Sequence, residues 1–380
     1  MKRSIVVKRD GSCRCATPPS VLGLRLSRRL CGRAAGAPAP RHPSRLTTHE
    51  RSGSLLIMTL WVVVILSALA VAIARYLSLE IRLTSLRMAR EQARMLARSG
   101  VYLAMERLAH DAETPEADGK AYDWTGDDWA YTPTQDPAAD GSVWSVLFPL
   151  HGRAEARLTG RVDVRIADEG GRLDVNTAAN GPLLRLTDDP VLTQAILDAR
   201  DEPDAAEDHP ELTPPYFAKN GPFAEPEELA DVPGMTSEIY EALRANTSPY
   251  RLATEPVNIN TASPETLAAL GLSDRAVYLI TQFRDGSDGP EAHEQDGIFT
   301  DAGVAILETL KNAQGVDLAG TDDGTILSST TFGVSSGLFR VTAEGLVDRP
   351  SARVVVEAVV RRTGCGDGVP SPCIVAWRES

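Results

Sequence analysis

Histidine, cysteine, lysine and aromatic residues are scarce in this sequence, and each scarcity removes a class of function. The six histidines are scattered, with no pair at zinc-ligand spacing, so no zinc site is expected. Of five cysteines, Cys13, Cys15 and Cys31 lie in the first 53 residues, which leaves no disulfide framework. The remaining two, Cys365 and Cys373, sit in one Gly/Pro-rich loop. There they are expected to close a small disulfide in an oxidising compartment, against the plainer alternative of two free thiols. Lys219 is the only lysine between residues 173 and 300, and residues 168–300 hold 8 Lys or Arg against 26 Asp or Glu. Such a region repels nucleic-acid phosphates and anionic lipid. Aromatic residues make up only 5% of the chain, but 43% is hydrophobic, so 380 residues suffice for two or three domains with a real core. Methionine is missing between Met1 and Met58.

One long apolar run stands out in "HERSGSLLIMTLWVVVILSALAVAIARYLSLE". Leu55 to Ala74 is apolar except for Thr59 and Ser67, and about 20 residues of helix cross a hydrocarbon layer. The apolar core of a cleaved secretory signal is shorter, about 7 to 15 residues, and no cut is expected after the run. "RSGS" on its threshold resembles the prepilin signal instead, in which a peptidase cuts between residues in the position of Gly53 and Ser54 and the helix stays in the mature protein. Residues 1–45 are rich in Arg, Ala and Pro without apolar periodicity. They are read as a disordered leader or as an over-extended start, with translation beginning nearer "LTTHERSG".

Beyond the run the chain is expected to stay helical to about His110. Leu79, Leu83, Leu86, Ala93, Ala97, Ala104 and Leu108 step along one face, while Arg75, Arg82, Arg87, Arg90, Arg94 and Arg98 occupy others. A polar loop with Trp124, Trp129 and Tyr131 follows. "EARLTGRVDVRIADEGGRLDVN" alternates as strands about a turn at Gly170 and Gly171, and "GLFRVTAEGLV" with "ARVVVEAVVRR" forms a second pair turned by "DRPS". The expected class is α+β: a pilin-like long N-terminal transmembrane helix packed on an antiparallel sheet, with a large inserted all-α domain of helix-hairpin-helix (SAM-like) units. The expected divisions are 1–53 leader, 54–110 helix, 111–172 first part of the α/β domain, 173–300 insert in two related units of about 173–250 and 251–300, and 301–380 C-terminal strands.

The two units are inferred from an echo. "VNTAANGPLLRL" and "INTASPETLAAL" align at an offset of 84, which pairs Asn176 with Asn260, Thr177 with Thr261, and Leu183 with Leu267. In the second copy Ser263 is a good N-cap, with Pro264 at the first helical position.

Several motifs invite chemistry, each with a plainer alternative. "ELADVPGMTSEIYEAL" and "LAALGLSDRAVYLITQFR" look like helix-hairpin-helix units, whose amides cradle phosphate in DNA-binding versions. Here Glu227, Glu228, Asp231, Glu238 and Asp274 flank the turns, which favours a structural module. "GVSSG" has the nucleophile-elbow spelling but precedes a strand instead of following one, so no catalytic residue and no enzyme is expected. "LDARDEPDAAEDHPE" places Asp201, Asp204, Glu207 and Asp208 on one loop. It reads either as a solvated acidic loop or as an oxygen-rich calcium site, without EF-hand spacing.

Taken in order, "LARSG", "GRLDVNTA", "ARDEPD", "YFAKNGPFAEPEELADVPGM" and "VNINTASPETLAALG" resemble one family, the type II secretion minor pseudopilin K, over Ser52 to about Arg362. "NINTA" alone also occurs in DNA-uptake proteins, whereas the ordered series is specific. The resemblance implies a place at the tip of a short periplasmic pseudopilus, where the subunit initiates or caps the fibre during export across the outer membrane. It implies prepilin peptidase, other minor pseudopilins and the major pseudopilin as partners, and no nucleic acid. It further implies a single-pass location in a bacterial inner membrane with the C-terminal domain in the periplasm. Calcium, present in some members, is the only cofactor it suggests, and none is required. It also gives Met58 a meaning: after cleavage Met58 is the fifth residue, where most pilins carry a glutamate that neutralises the amine of the subunit above. The alternatives are a minor pilin of a type IV pilus and a membrane-anchored helix-hairpin-helix DNA-uptake receptor. "GCGDGVPSPC" lies beyond the resemblance.

Overall fold

The computed structural model describes residues 52–113, 121–130, 142–150, 158–201, 219–252, 254–286, 297–366 and 371–380. The chain divides into two units, one running to Leu69 and the other from Ala70 to Ser380. The described part of the first is helical throughout, the opening turns of α1 (Ser52–Glu113). That helix contains a stretch long and apolar enough to cross a membrane.

The second unit is built on a five-stranded antiparallel sheet. Its strands are β1 (Trp144–Leu150), β2 (Leu158–Asp168), β7 (Leu338–Asp348), β8 (Ser351–Arg361) and β9 (Cys373–Glu379), in the order β1-β2-β7-β8-β9. Alternation decides which face is covered. Val162, Val164 and Ile166 on β2, Phe339, Val341 and Ala343 on β7, and Val354, Val356, Ala358 and Val360 on β8 all point into one cluster. The other side of that cluster comes from α1, through Ala89, Ala93, Leu96, Ala97, Val101, Ala104 and Leu108. The small residues let helix and sheet meet closely: a Cβ on Gly100 would stand 2.7 Å from Val162 Cγ2 and 2.9 Å from the Ala343 Cβ. Trp129 closes the cluster edge-on to Phe339, at 4.9 Å between ring centroids. Tyr131, expected as a third aromatic anchor, lies outside the described residues.

The β7/β8 hairpin turns where "DRPS" places it, pairing Asp348 with Ser351. The turn at Gly170 and Gly171 does something else. After it the chain leaves the sheet, because β3 (Leu173–Asp174) pairs in parallel with β4 (Thr247–Ser248) instead of returning along β2. Nearly the whole helical complement of the unit then intervenes before β7. First come α2 (Asn180–Thr187), α3 (Pro190–Arg200), a 3-10 turn at Pro226–Asp231 and α4 (Ser237–Asn246). After β4, β5 (Val257–Asn258) pairs in parallel with β6 (Phe332–Gly333). Between them lie α5 (Pro264–Ala269), α6 (Asp274–Arg284), α7 (Val304–Gln314) and α8 (Asp322–Leu327).

These helices form two clusters. Val175, Leu183, Leu192, Ile196, Phe223 and Leu243 make one; Ile259, Leu267, Ile280, Phe299, Ile306 and Leu327 lie in the other. The division at residue 300 is therefore corrected. Ile306, Leu310, Leu318 and Leu327 bury their side chains with Leu267 and Ile280, so α7 and α8 are part of the second helical cluster and the strands resume only at β7.

The repeat is carried down to single hydrogen bonds. The starts of α3 and α6, and their ends at Arg200 and Arg284, are both 84 residues apart. Each start is capped: Asp189 Oδ1 accepts the amides of Val191 and Leu192 at 2.8 and 3.1 Å, and Ser273 Oγ accepts that of Ala276 at 3.3 Å. Ser263 caps α5 as expected, accepting the Thr266 amide at 2.9 Å, with Pro264 following it.

Candidate functional site

The chemistry of the second unit is that of fixing and presenting surfaces, beginning with α1. Helical geometry turns each residue about 100° from the last, so Leu79, Leu83 and Leu86 continue the face that Ala89, Ala93 and Ala97 bury on the sheet. The sheet takes up that face only from Ala89 onward, and Leu79, Leu83 and Leu86 remain exposed. A second exposed row lies on the far side: Ile81, Met88, Met95 and Tyr102, each at least 59% exposed. This row was not singled out in the sequence, although a strict seven-residue step carries it. The arginines are less free than their spacing suggests. Arg98 and Arg94 reach Glu379 on β9, at 2.6 and 3.1 Å. The hydrogen bond from Arg98 holds the Glu379 carboxyl below its ordinary range.

A polar junction ties the sheet to the second helical cluster. Asp168, at the end of β2, saturates its carboxylate. Oδ2 accepts from Asn258 Nδ2 at 3.0 Å, Thr261 Oγ1 at 2.5 Å and Ser336 Oγ at 2.6 Å, while Oδ1 accepts the Gly170 amide at 2.6 Å. Burial pushes its pKa up, opposed by the Ser336 and Thr261 hydroxyls. Beside it Asp123 accepts both terminal nitrogens of Arg362 at 2.8 Å and the Ser336 amide at 2.6 Å. Burial raises this carboxyl too, and the Arg362 charge works against the rise. Arg362 also donates to Asp111 near the end of α1, at 2.5 Å. Ser336, the residue after the serine of the nucleophile-elbow spelling, thus bridges the carboxylates of Asp168 and Asp123 through its hydroxyl and its amide.

Across the sheet's outer face runs a chain of ion pairs. Arg378 on β9 meets Glu227 and, at 3.2 Å, Glu357; Arg340 joins Glu357 to the fully buried Glu169, which Arg172 approaches at 2.9 Å. Burial works against the Arg340 charge, yet Glu169 and Glu357 hold its pKa above the ordinary value. The chain connects β9, β8, β7 and the 3-10 turn of the first helical cluster.

The residues singled out in the sequence fall as follows. Gly53 and Ser54 lie in the first turn of α1. Met58 is an exposed residue of the same helix, 68% accessible. Cys365 and Cys373 are joined in a disulfide, with Cα atoms 6.0 Å apart, just where β9 begins. Asp201 ends α3 with its side chain exposed, while Asp204, Glu207 and Asp208 lie outside the described residues. Among the described residues no group of three or more carboxylate, histidine or cysteine side chains is arranged to hold a metal ion.

Residues 183–248 match the family described as Type II secretion system (T2SS), protein K, so the recognition that the motif series carries is borne out over that stretch. The fold is similar to that of a chain in the crystal structure of the GspK-GspI-GspJ complex from enterotoxigenic Escherichia coli Type 2 Secretion System. The TM-score is 0.55 at 17% identity, covering 77% of this chain and 98% of that one. No curated protein matches the sequence.

Proposed function

We propose that this protein, which carries a T2SS protein K domain, works as a minor pseudopilin of the type II secretion system. Prepilin peptidase cuts it between Gly53 and Ser54, and α1 then leaves the inner membrane by packing with the helices of other minor pseudopilins. The subunit initiates or caps the fibre that carries folded proteins across the outer membrane. Its work is mechanical and non-enzymatic.

One observation carries the reading. A single helix is apolar and exposed along its first half and becomes the core of a sheet domain along its second, and a K-type helical insert interrupts that domain between β2 and β7. The exposed Leu79, Leu83 and Leu86, continuing the buried face, are suited to a neighbouring helix. The solved complex to which the fold is similar contains GspI and GspJ, and we take I-type and J-type pseudopilins as the partners here. The insert's bulk and the lack of a carboxylate at Met58 both favour the tip, since neither serves a subunit stacked above. The two helical clusters of the insert act in this reading as packing modules of helix-hairpin-helix character, and the C-terminal domain faces the periplasm, where the disulfide is stable.

Calcium remains a proposal for the acidic loop: Asp201, Asp204, Glu207 and Asp208 supply the hard oxygen ligands the ion prefers. Titration of the full chain with millimolar calcium, if it gives no heat, removes that assignment.

Mass spectrometry of the mature N-terminus tests the main reading. A start at Ser54 that disappears in a peptidase-deficient strain supports it. An uncut chain, or one cut after Ala74, overturns it.

A further inference from the structure

The arginines of α1 divide into two groups. Arg94 and Arg98, beside the sheet, pair with Glu379, and Arg94 also with Glu91. Arg75, Arg82, Arg87 and Arg90, nearer the apolar run, are exposed and make no ion pair or side-chain hydrogen bond among the described residues. Residues 75–90 set these four arginines against one acid, Glu80, in a chain whose net charge is -13. Their place along the helix gives them a use, since Arg75 directly follows the apolar run that ends at Ala74.

Depth decides what surrounds each of them. About 20 residues of helix fill a hydrocarbon layer of ~30 Å, and a polar headgroup zone of about 5–8 Å lies beyond it on each side. With Leu55 to Ala74 in the hydrocarbon, Arg75 stands at the inner boundary of that zone. A helix rises 1.5 Å per residue, so Arg82 lies about 10 Å beyond Arg75, and Arg87 and Arg90 about 18 and 22 Å beyond it. Side chains on a helix tilt toward its N-terminus, which here is the membrane side. Arg75 and Arg82 therefore lean into the headgroup zone, with the exposed Tyr76 beside them as an interfacial aromatic. Arg87 and Arg90 stand clear of it by about a Debye length or more.

The anion of that zone is the lipid phosphate, which a guanidinium matches with two parallel N–H donors. In the orientation proposed above, this is the face of the membrane where Lys and Arg are the less common choice. The acidic insert repels the same surface, so attraction to anionic lipid is confined to α1.

We propose that Arg75 and Arg82 form a binding site for the phosphate of an anionic phospholipid, which holds α1 at the membrane surface until the helix is withdrawn into the fibre. The proposal rests on the membrane-spanning reading of α1 and names the lipid chemistry it meets there.

The test titrates the full chain in detergent micelles with phosphatidylglycerol or with phosphatidylcholine and counts the lipid retained per chain by native mass spectrometry. The wild type is expected to retain phosphatidylglycerol at least tenfold better. An arginine near the surface contributes about fivefold, so Arg75→Gln with Arg82→Gln is expected to abolish the preference, while Arg87→Gln with Arg90→Gln keeps it. All four side chains are exposed, and both double variants are expected to melt with the wild type. Equal retention of the two lipids by the wild type overturns the proposal. So does a preference that survives in the first variant, falls equally in the second, or is competed away by inorganic phosphate at the same concentration. Weaker binding of the first variant to purified I-type and J-type pseudopilins, with its lipid preference unchanged, assigns the pair to partner carboxylates and also overturns it. Alkaline carbonate extraction from phosphatidylcholine vesicles tests the span separately. A chain stripped from the vesicles loses the membrane-spanning reading together with the site, whereas a chain that stays but shows no lipid preference loses the site alone.

Discussion

Asn260 holds the backbone of Phe299 at two points: its Oδ1 accepts the Phe299 amide at 2.9 Å and its Nδ2 donates to the Phe299 carbonyl at 2.9 Å. Eighty-four residues earlier, Asn176 does the same to Phe223, at 2.7 and 3.0 Å, and adds a bond to the Pro249 carbonyl at 3.1 Å. Arg200 and Arg284 repeat the logic, donating to the carbonyls of Val175 and Ala178 and of Ile259 and Ala262 respectively. The echo in the sequence is therefore a repeated device that pins a distant loop to the start of each helical unit.

Removing the carboxamide leaves a backbone donor and acceptor without partners. Asn260 is fully buried and Asn176 is only partly so. Asn260→Ala is expected to cost about 2–6 kcal/mol, from two groups at about 1–3 each, and Asn176→Ala less, because water reaches the orphaned groups. Chemical denaturation of the two variants checks the order. An Asn176→Ala penalty equal to or larger than that of Asn260→Ala would contradict it.

Gly345 sits on β7 where α1 crosses. A Cβ there falls well inside contact distance of the Ala93 carbonyl and 2.7 Å from the Ala97 amide nitrogen, and backbone cannot give way as a side chain end can. Gly345→Ala is expected to lower stability by about 1–3 kcal/mol or more through overpacking. Gly221→Ala, with open space around it and no positive φ, is expected to be nearly neutral. Thermal melts of both would expose an error if they shifted alike.

Glu357 offers a pH test. Burial raises its pKa, but the charges of Arg340 and Arg378 and their hydrogen bonds outweigh burial and leave it lowered in the folded state. A lowered acid contributes stability above its unfolded value that is lost as pH falls through the folded value. Glu357→Gln removes this titration, so the variant is expected to lose less stability than wild type as pH falls through and below about 4.5. Parallel acid limbs for the two proteins, followed by tryptophan fluorescence, would show that the pair does not matter. Asp123 and Asp168 act in the opposite sense: their raised pKa values make stability fall as pH rises through them.

Much of this was legible because the physical cause is local. The apolar run and the Leu/Ala spacing announce α1, the "DRPS" turn between alternating runs announces β7 and β8, and Ser263-Pro264 announces a helix start. What was hidden depends on partners far along the chain. Nothing near Gly171 tells that Leu173 pairs with Thr247, or that Asp168 waits for Thr261 and Ser336. β1 and β9 escaped for another reason: they are short edge strands, and neither alternates strictly between apolar and polar residues. Position along the chain groups α7 and α8 with the C-terminal strands, whereas the burial of Ile306, Leu310 and Leu327 makes them part of the helical core.

If the chain is cut between Gly53 and Ser54 as proposed, Met58 becomes its fifth residue, and a substitution there tests the proposed place at the tip. A glutamate at the fifth mature position is useful where the amine of a subunit above meets it. Without that partner, a carboxylate in the apolar helix is a buried charge with no compensation. If nothing stacks above this protein, Met58→Glu adds the cost and gains nothing, while Met58→Leu preserves the apolar surface. Met58→Glu is therefore expected to reduce co-purification with the partner pseudopilins and secretion of a type II substrate several-fold, with Met58→Leu close to wild type. Processing at Ser54, followed by mass spectrometry in the same strains, shows whether the loss arises before or after cleavage. A Met58→Glu variant that assembles and secretes better than wild type would place a subunit above this one and remove the cap from the scheme.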